Sequence, residues 1–315
     1  MIYLHQDPLL PYKSAFTTKK LLFAYYQAAS IEKPEEKAFN NCDRFIHFLE
    51  HGGVYLDQAR QAPLAIQPTL AFYGLTHLIK ACLLLNDPDY PTSSQVLAHG
   101  LSTRKKKKQG YRFLQDEVRT QRNGLFPHIS DKLFHVKQLE GTKFNMKNLL
   151  MQIPELNELL RFHFQHSAFI TLIKKESDTY LLSKDIIDDY KMTDNRFTDY
   201  LSEKTKGSIE MMNHSAESFT MNCTNGRFVP PFRYNCLENQ WTVSRHKTDE
   251  AFYPELLIHF ALLYNLSMIA RYETEWWYEM LKLTPNEEYS FIKHFIDISI
   301  FKCPVLIDQY LKSRC

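Results

Sequence analysis

Hydrophobic positions follow two periods along this chain, and the change of period divides it. Residues 15–29 (AFTTKKLLFAYYQAA) carry a short helical pattern. Residues 35–51 carry a stronger one, with Ala38, Cys42, Phe45, Ile46 and Leu49 on one stripe, and Gly52–Gly53 predict its end. In 66–91 (IQPTLAFYGLTHLIKACLLLNDPDYP), Leu70, Phe72, Leu75, Leu78, Ile79 and Cys82 leave almost no polar face, which places this helix centrally. Pro68 suits its first turn, and Asn86–Asp87–Pro88 stop it. Residues 145–164 are again helical. The chain closes with helices over 253–272, then ETEWWYEML, and over 285–312 with an interruption near Pro304.

The alternating period occupies the middle. YRFLQDEV (111–118) alternates like a strand, Asn123–Gly124 is a turn signal, and LFPHI reads as the returning strand with Pro127 at an edge. This predicts a short hairpin near 111–130. Residues 168–187 predict a second hairpin with Glu176–Ser177–Asp178 at its turn, followed by a short helix near 193–204. SIEMMNHSAESFTMNC and RFVPPFRYNCLENQWTVSR add further short strands. The expected class is α+β, mainly α: a helical bundle formed from both ends of the chain with a β-containing middle region. The expected divisions are a helical body with a basic loop and short hairpin (1–164), a β-containing insertion (165–247) and C-terminal helices completing the body (248–315). The first and last helices then pack around the 68–85 helix.

Composition changes this picture little. The 315 residues are 44% hydrophobic and 23% charged, as expected of a folded soluble protein. Nine glycines argue against a Gly-rich nucleotide loop and a turn-dense all-β fold. Charge distribution says more. Residues 103–122 hold eight Lys or Arg against two acids, a local +6, so the remainder carries −4 of the net +2. No two of the six cysteines have zinc-ribbon or CxxC spacing. The N-terminus lacks the pattern of a signal peptide, and no apolar run is expected to reach transmembrane length. These features predict a reduced cytoplasmic protein with free thiols and no membrane.

Five constellations could carry chemistry. Arg122, Asn123 and His128 match the Arg-polar-x(4)-His pattern in which Arg holds a phosphate and His transfers a proton. Arg44/His51 and Arg161/His166 also fit the looser Arg-x(4–6)-His spacing, and roughly one or two such matches arise by chance. His47, Glu50 and His51 match the inverted zinc-protease motif, but His47 and His51 point away from the buried stripe, so no metal site is expected. Arg104, Lys105, Lys106, Lys107 and Lys108, with Arg112 beyond them, could neutralise phosphates, while Tyr111 and Phe113 could stack a base. Trp276 and Trp277 form either a partner or ligand wall or a core joint between helices. His77 and His259 lie on apolar helices and read as buried, hydrogen-bonded histidines. Lys80, on the face of His77, would need a partner such as Glu273 or Glu275. No nucleotide-loop, dinucleotide, kinase or hydrolase motif is present, and no cofactor is expected.

Three long stretches, LAFYGLTHLIKACLLLNDPDYP, LAHGLSTRKKKKQGYRFLQDEVRTQRNGLFPH and LLYNLSMIARYETEWW, resemble the YaaC-like proteins of Gram-positive bacteria, and the resemblance covers most of the chain. It names no reaction. The family's gene commonly neighbours that of IMP dehydrogenase, which implies a link to purine-nucleotide metabolism. The first stretch also resembles the core helix of HEPN-type helical domains of RNA-processing and defence proteins.

The expected function is a non-catalytic regulatory or adaptor protein. It binds a protein partner, plausibly a purine-nucleotide synthesis enzyme such as IMP dehydrogenase, and a nucleotide or RNA through Arg104–Lys108. The alternative is a metal-independent endoribonuclease of HEPN type. In it Arg122 holds the phosphate, Asn123 helps position it and His128 transfers the proton. A converging Arg122 and His128 would favour the nuclease, and a tight turn splaying them apart would favour the binder.

Overall fold

The computed structural model describes residues 7–103, 110–137, 139–176, 178–223 and 228–314. Helices α1 (Ala15–Ala28), α2 (Pro34–Gln61) and α3 (Gln67–Asn86) come first. Then follow β1 (Leu101–Thr103), β2 (Glu117–Thr120), α4 (Leu125–Phe134), β3 (Lys143–Asn145) and α5 (Met146–Leu150). Next are α6 (Asn157–Phe164), β4 (Phe169–Thr171), β5 (Ile173–Glu176), β6 (Thr179–Ser183), α7 (Asp185–Tyr190) and α8 (Asp194–Lys204). Strands β7 (Ile209–His214), β8 (Ser218–Cys223), β9 (Phe232–Asn235) and β10 (Gln240–Ser244) precede α9 (Glu255–Tyr272), α10 (Thr274–Leu283) and α11 (Glu288–Lys312). The fold is α+β and mainly α. It divides into two units: Met1–Met146 with His259–Cys315, and Lys147–Ile258.

In the first unit, α2 does not end at Gly52–Gly53 as its sequence predicts but continues to Gln61. The reason is its packing on α3. A Cβ at Gly52 would stand 2.7 Å from Leu78 Cδ2 and 3.0 Å from the Gly74 carbonyl oxygen. A Cβ at Gly74 would stand 2.8 Å from Leu56 Cδ2 and 3.2 Å from the Gly52 carbonyl. The two glycines therefore let the helix backbones approach, at a propensity cost of about 1 kcal/mol each.

Helix α3 is the centre of this unit, with Phe72, Leu75, Leu78, Ile79, Cys82 and Leu83 fully buried. Among the described residues it is also the one helix long and apolar enough to cross a membrane, which corrects the expectation that no run reaches that length. Yet 72% of its most apolar window is buried inside the protein. Asn86, at its end, accepts a hydrogen bond from Tyr25 of α1 (2.6 Å) and donates one to Tyr310 of α11 (2.7 Å), so both chain ends meet on α3. The expected break at Pro304 is absent, and α11 runs through it. Buried Phe295 and Ile296 before the hydrogen bond that proline removes, and Ile307 and Leu311 after it, hold the helix on either side.

The expected hairpin near 111–130 is not formed. Strand β2 pairs antiparallel with β1 (Ser102↔Arg119) and with β3 (Val118↔Phe144), and residues 125–134 are helical. Asn123–Gly124 marks the start of α4 instead of a strand reversal. Gly124 (φ +127°) lies against Gly100 (φ +78°) so closely that a Cβ on Gly124 would fall 2.3 Å from the Gly100 Cα. This contact lets the first α4 amides, Leu125 and Phe126, donate to the carbonyls of Ala98 (2.7 Å) and His99 (3.0 Å). Those amides have no partner within their own helix.

The second unit holds two antiparallel sheets, ordered β4-β10-β9 and β5-β6-β8-β7. Strands β5 and β6 form the hairpin expected within 168–187. Helices α7 and α8 bury Ile186, Tyr190, Phe197 and Leu201 with Phe219, Met221 and Val243 of the strands. Pro154 divides the expected 145–164 helix into α5, a single turn and α6.

Adjacent glycines of α2 should respond with opposite sign. Gly52→Val should destabilise by about 1–3 kcal/mol through overpacking. Gly53→Ala, where a Cβ meets only the Lys13 Nζ at 4.0 Å, should stabilise by about 0.5–1 kcal/mol. Urea unfolding of both variants checks this, and equal responses would refute the close-approach account.

Candidate functional site

Helix α4 carries His128 to the end of α3. Its Nε2 lies 2.8 Å from the Asp87 Oδ2, with the two side chains 16% and 12% exposed. The Tyr90 ring stacks on the imidazole at 5.9 Å between centroids. The Tyr90 carbonyl accepts from Arg44 Nη2, whose Nη1 donates to Asn41 at 2.9 Å. Asn41 in turn donates to the Pro88 carbonyl (2.9 Å) and to the Tyr26 hydroxyl (3.2 Å). Burial pushes the Tyr26 and Tyr90 phenols up to about 12, so both stay protonated. The segment Asp87–Tyr90 is thus clamped between α2 and α4.

This arrangement separates the residues of the Arg-His pattern. Arg122 and Asn123 are exposed and have no hydrogen-bond or ionic partner among the described residues. His128 is committed to Asp87. The arginine that shares its network is Arg44, through Tyr90. The turn reading of Asn123–Gly124 is corrected as well, because His128 sits on a helix.

The run Arg104, Lys105, Lys106, Lys107 and Lys108 lies outside the described residues. Its flanks are tethered on both sides. On one side β1 pairs with β2. On the other, the Tyr111 hydroxyl donates to Asp116 (2.7 Å), which also accepts from the buried Asn265 (3.0 Å). Burial, then the Asp116 charge, drives the Tyr111 phenol far up. Arg112 is occupied by two carboxylates, Nη2 to Glu287 (2.6 Å) and Nε to Glu288 (3.0 Å). Glu288, fully buried, also accepts from the Leu114 amide at 3.0 Å. The fork with which Arg112 would hold a phosphate therefore serves as an anchor.

Trp276 and Trp277 separate. Trp276 is half-buried, edge-on to Tyr111 at 4.8 Å. Trp277 is fully buried, and its indole donates to the Ala65 carbonyl at 2.9 Å. It faces the core, not a ligand. His259 is buried with Nδ1 2.8 Å from the Ser299 hydroxyl. His47, Glu50 and His51 are exposed, and no metal-binding group of three His, Cys, Asp or Glu occurs among the described residues. Cys42, Cys82, Cys223, Cys236 and Cys303 are free thiols. Lys80 pairs with neither Glu273 nor Glu275. Its Nζ lies over the Phe48 ring at 5.9 Å.

Sequence reasoning missed the Asp87–His128 pair. The stop signal Asn86–Asp87–Pro88 accounts fully for those residues locally, and no pattern joins Asp87 to His128 across a separation of 41 positions.

Asp87 is held below the usual carboxylate range, first by the hydrogen bond from His128 and against the opposing effect of burial. A carboxylate depressed on folding adds stability above its unfolded pKa and loses it as pH falls through its folded one. Asp87→Asn should therefore cost about 1–2 kcal/mol at pH 7. The gap to the native protein should close as the pH falls below about 4. Urea unfolding across this range checks it, and a constant gap would exclude ionisation of the pair from stability.

The family described as YaaC-like Protein matches residues 10–311, so the chain belongs to the YaaC-like family. No curated protein and no solved structure matches it.

Proposed function

We propose that this member of the YaaC-like family is a cytoplasmic, non-catalytic regulatory or adaptor protein. It binds a phosphate-bearing ligand, a nucleotide or RNA, through Arg104–Lys108. It also binds a protein partner, for which the family resemblance suggests a purine-nucleotide synthesis enzyme such as IMP dehydrogenase. One observation carries the ligand reading: five consecutive cations stand between two tethered flanks, β1 on one side and the Tyr111–Asp116 and Arg112–Glu287/Glu288 anchors on the other. Holding the ends of a charged run reduces the chain entropy lost when it closes on phosphates. Lys and Arg neutralise those phosphates by releasing counterions, so binding weakens steeply with salt. Arg112 contributes as an anchor, and Trp276 packs behind Tyr111.

Replacing Lys105–Lys108 with Ala should weaken binding of a labelled single-stranded RNA or of GTP by about tenfold or more and flatten its salt dependence. Fluorescence anisotropy across a salt series measures both. Unchanged affinity, together with no stoichiometric partner on native co-purification, would overturn the proposal.

The endoribonuclease reading keeps one supporting observation. His128 lies on a helix with a carboxylate on its ring, an arrangement that orients an acid or base. RNA cleavage without metal, abolished by His128→Ala but kept in Asp87→Asn at reduced rate, is what this reading requires. Intact RNA after prolonged incubation removes it.

A further inference from the structure

A third set of side chains gathers beside the Gly52–Gly74 crossing. Helix α2 presents Phe48, His51 and Tyr55, and α3 presents Tyr73, His77 and Lys80, each at helical spacing. The His51 and His77 rings meet edge to face at 4.6 Å. Tyr55 stacks on His77 at 5.7 Å and approaches Tyr73 at 5.8 Å. The array continues from Tyr73 to His99 (6.3 Å), and from His99 to Tyr264 of α9 (5.7 Å). Arg271 of α9 acts electrostatically on His99 and donates its Nε to the Ser267 carbonyl at 3.1 Å.

His51, His77 and Lys80 thus share the α2–α3 face, with His99 adjoining it through Tyr73 and Arg271 acting on His99. None is ion-paired to a carboxylate among the described residues. Glu50, beside His51, is exposed and pairs with none of them. The His77 Nδ1 is buried and has no hydrogen-bond partner. Burial, then the charges of Lys80 and His51, pushes His77 down to about 4. Burial, then Arg271 and Lys80, also lowers His99, and burial lowers Lys80. A fold gains nothing from setting a half-buried lysine beside an orphaned ring nitrogen. An anion placed among them would favour their charged forms and oppose these downward shifts.

We propose that this α2–α3 face binds the phosphate group of a phosphorylated small molecule, held by Lys80, His77 and His51, with Arg271 extending the positive field. A phosphate monoester matches the donors better than a carboxylate does. It offers three terminal oxygens and close to two negative charges near neutral pH. Tyr55 and Tyr73 provide aromatic surface beside it. The site uses no residue of Arg104–Lys108 and stands independently of the loop proposal.

Inorganic phosphate is the probe, added at constant ionic strength against chloride. Imidazole proton–nitrogen NMR of the full chain should show saturable shifts at His51 and His77. The His77 titration midpoint should rise by about one unit or more in saturating phosphate. Lys80→Ala should weaken binding about tenfold, Lys80→Arg should restore part of it, and the Lys105–Lys108→Ala variant should retain it. No saturable shift up to about 20 mM phosphate, well above the range of a millimolar site, would overturn the proposal. So would a shift that survives Lys80→Ala and is lost with the loop lysines.

Discussion

Gly52 and Gly74 bring the backbones of α2 and α3 into near contact, and most of the first unit is arranged around that approach. With side chains at either position the helices would separate, and Leu56 and Leu78 would lose the hollows they fill. The contact also determines what stands beside it. Because the helices cross closely at Gly52, the residues flanking it, Phe48, His51 and Tyr55, face Tyr73, His77 and Lys80 at ring-contact distance. A packing requirement in the core thereby creates the face on which the basic and aromatic groups meet.

A second level of organisation is polar. The end of α3 is held by Asn86, which joins Tyr25 and Tyr310, and by Asp87, which joins His128. Three elements remote in sequence converge on two consecutive residues. Buried or half-buried hydrogen bonds of this kind add modest net stability but are costly to leave unmade. They specify which ends meet as much as they strengthen the meeting. The Arg112–Glu287/Glu288 and Tyr111–Asp116–Asn265 contacts do the same for the segment that follows the basic run.

The groups in the first unit with chemical potential differ in how they are held. His128 has a carboxylate on one nitrogen and a ring on its face, so its role is bound to the joint between α3 and α4. Arg122 stands apart, exposed and without a partner among the described residues. His77, by contrast, has a buried ring nitrogen without a hydrogen-bond partner, no ion-paired carboxylate among the described residues, and Lys80 on its own helix face. Of these groups, His77 is the one whose environment is completed by a ligand and not by the fold.

The helices of the first unit were legible because burial repeats with their period. Leu75, Leu78, Ile79 and Cys82 are all fully buried, as their spacing predicts, and two of the three stretches that carried the family resemblance lie on helices of this unit. The β5–β6 hairpin was legible for the same kind of local reason. Local signals misled where a distant backbone supplied the missing term. Gly52–Gly53 reads as a stop until α3 lies against it, and Asn123–Gly124 reads as a hairpin turn until Gly100 does. Pro304 reads as a break until flanking packing holds the helix through it. Sequence by itself determined the helical class, the central helix and the concentration of charge at 103–122, because these depend on composition and period. Only the tertiary structure decided that His128 meets Asp87, that Arg112 is spent on two glutamates, and that His51, His77 and Lys80 share one face. Such pairings depend on how close two backbones can come, and that distance is a property of no single segment.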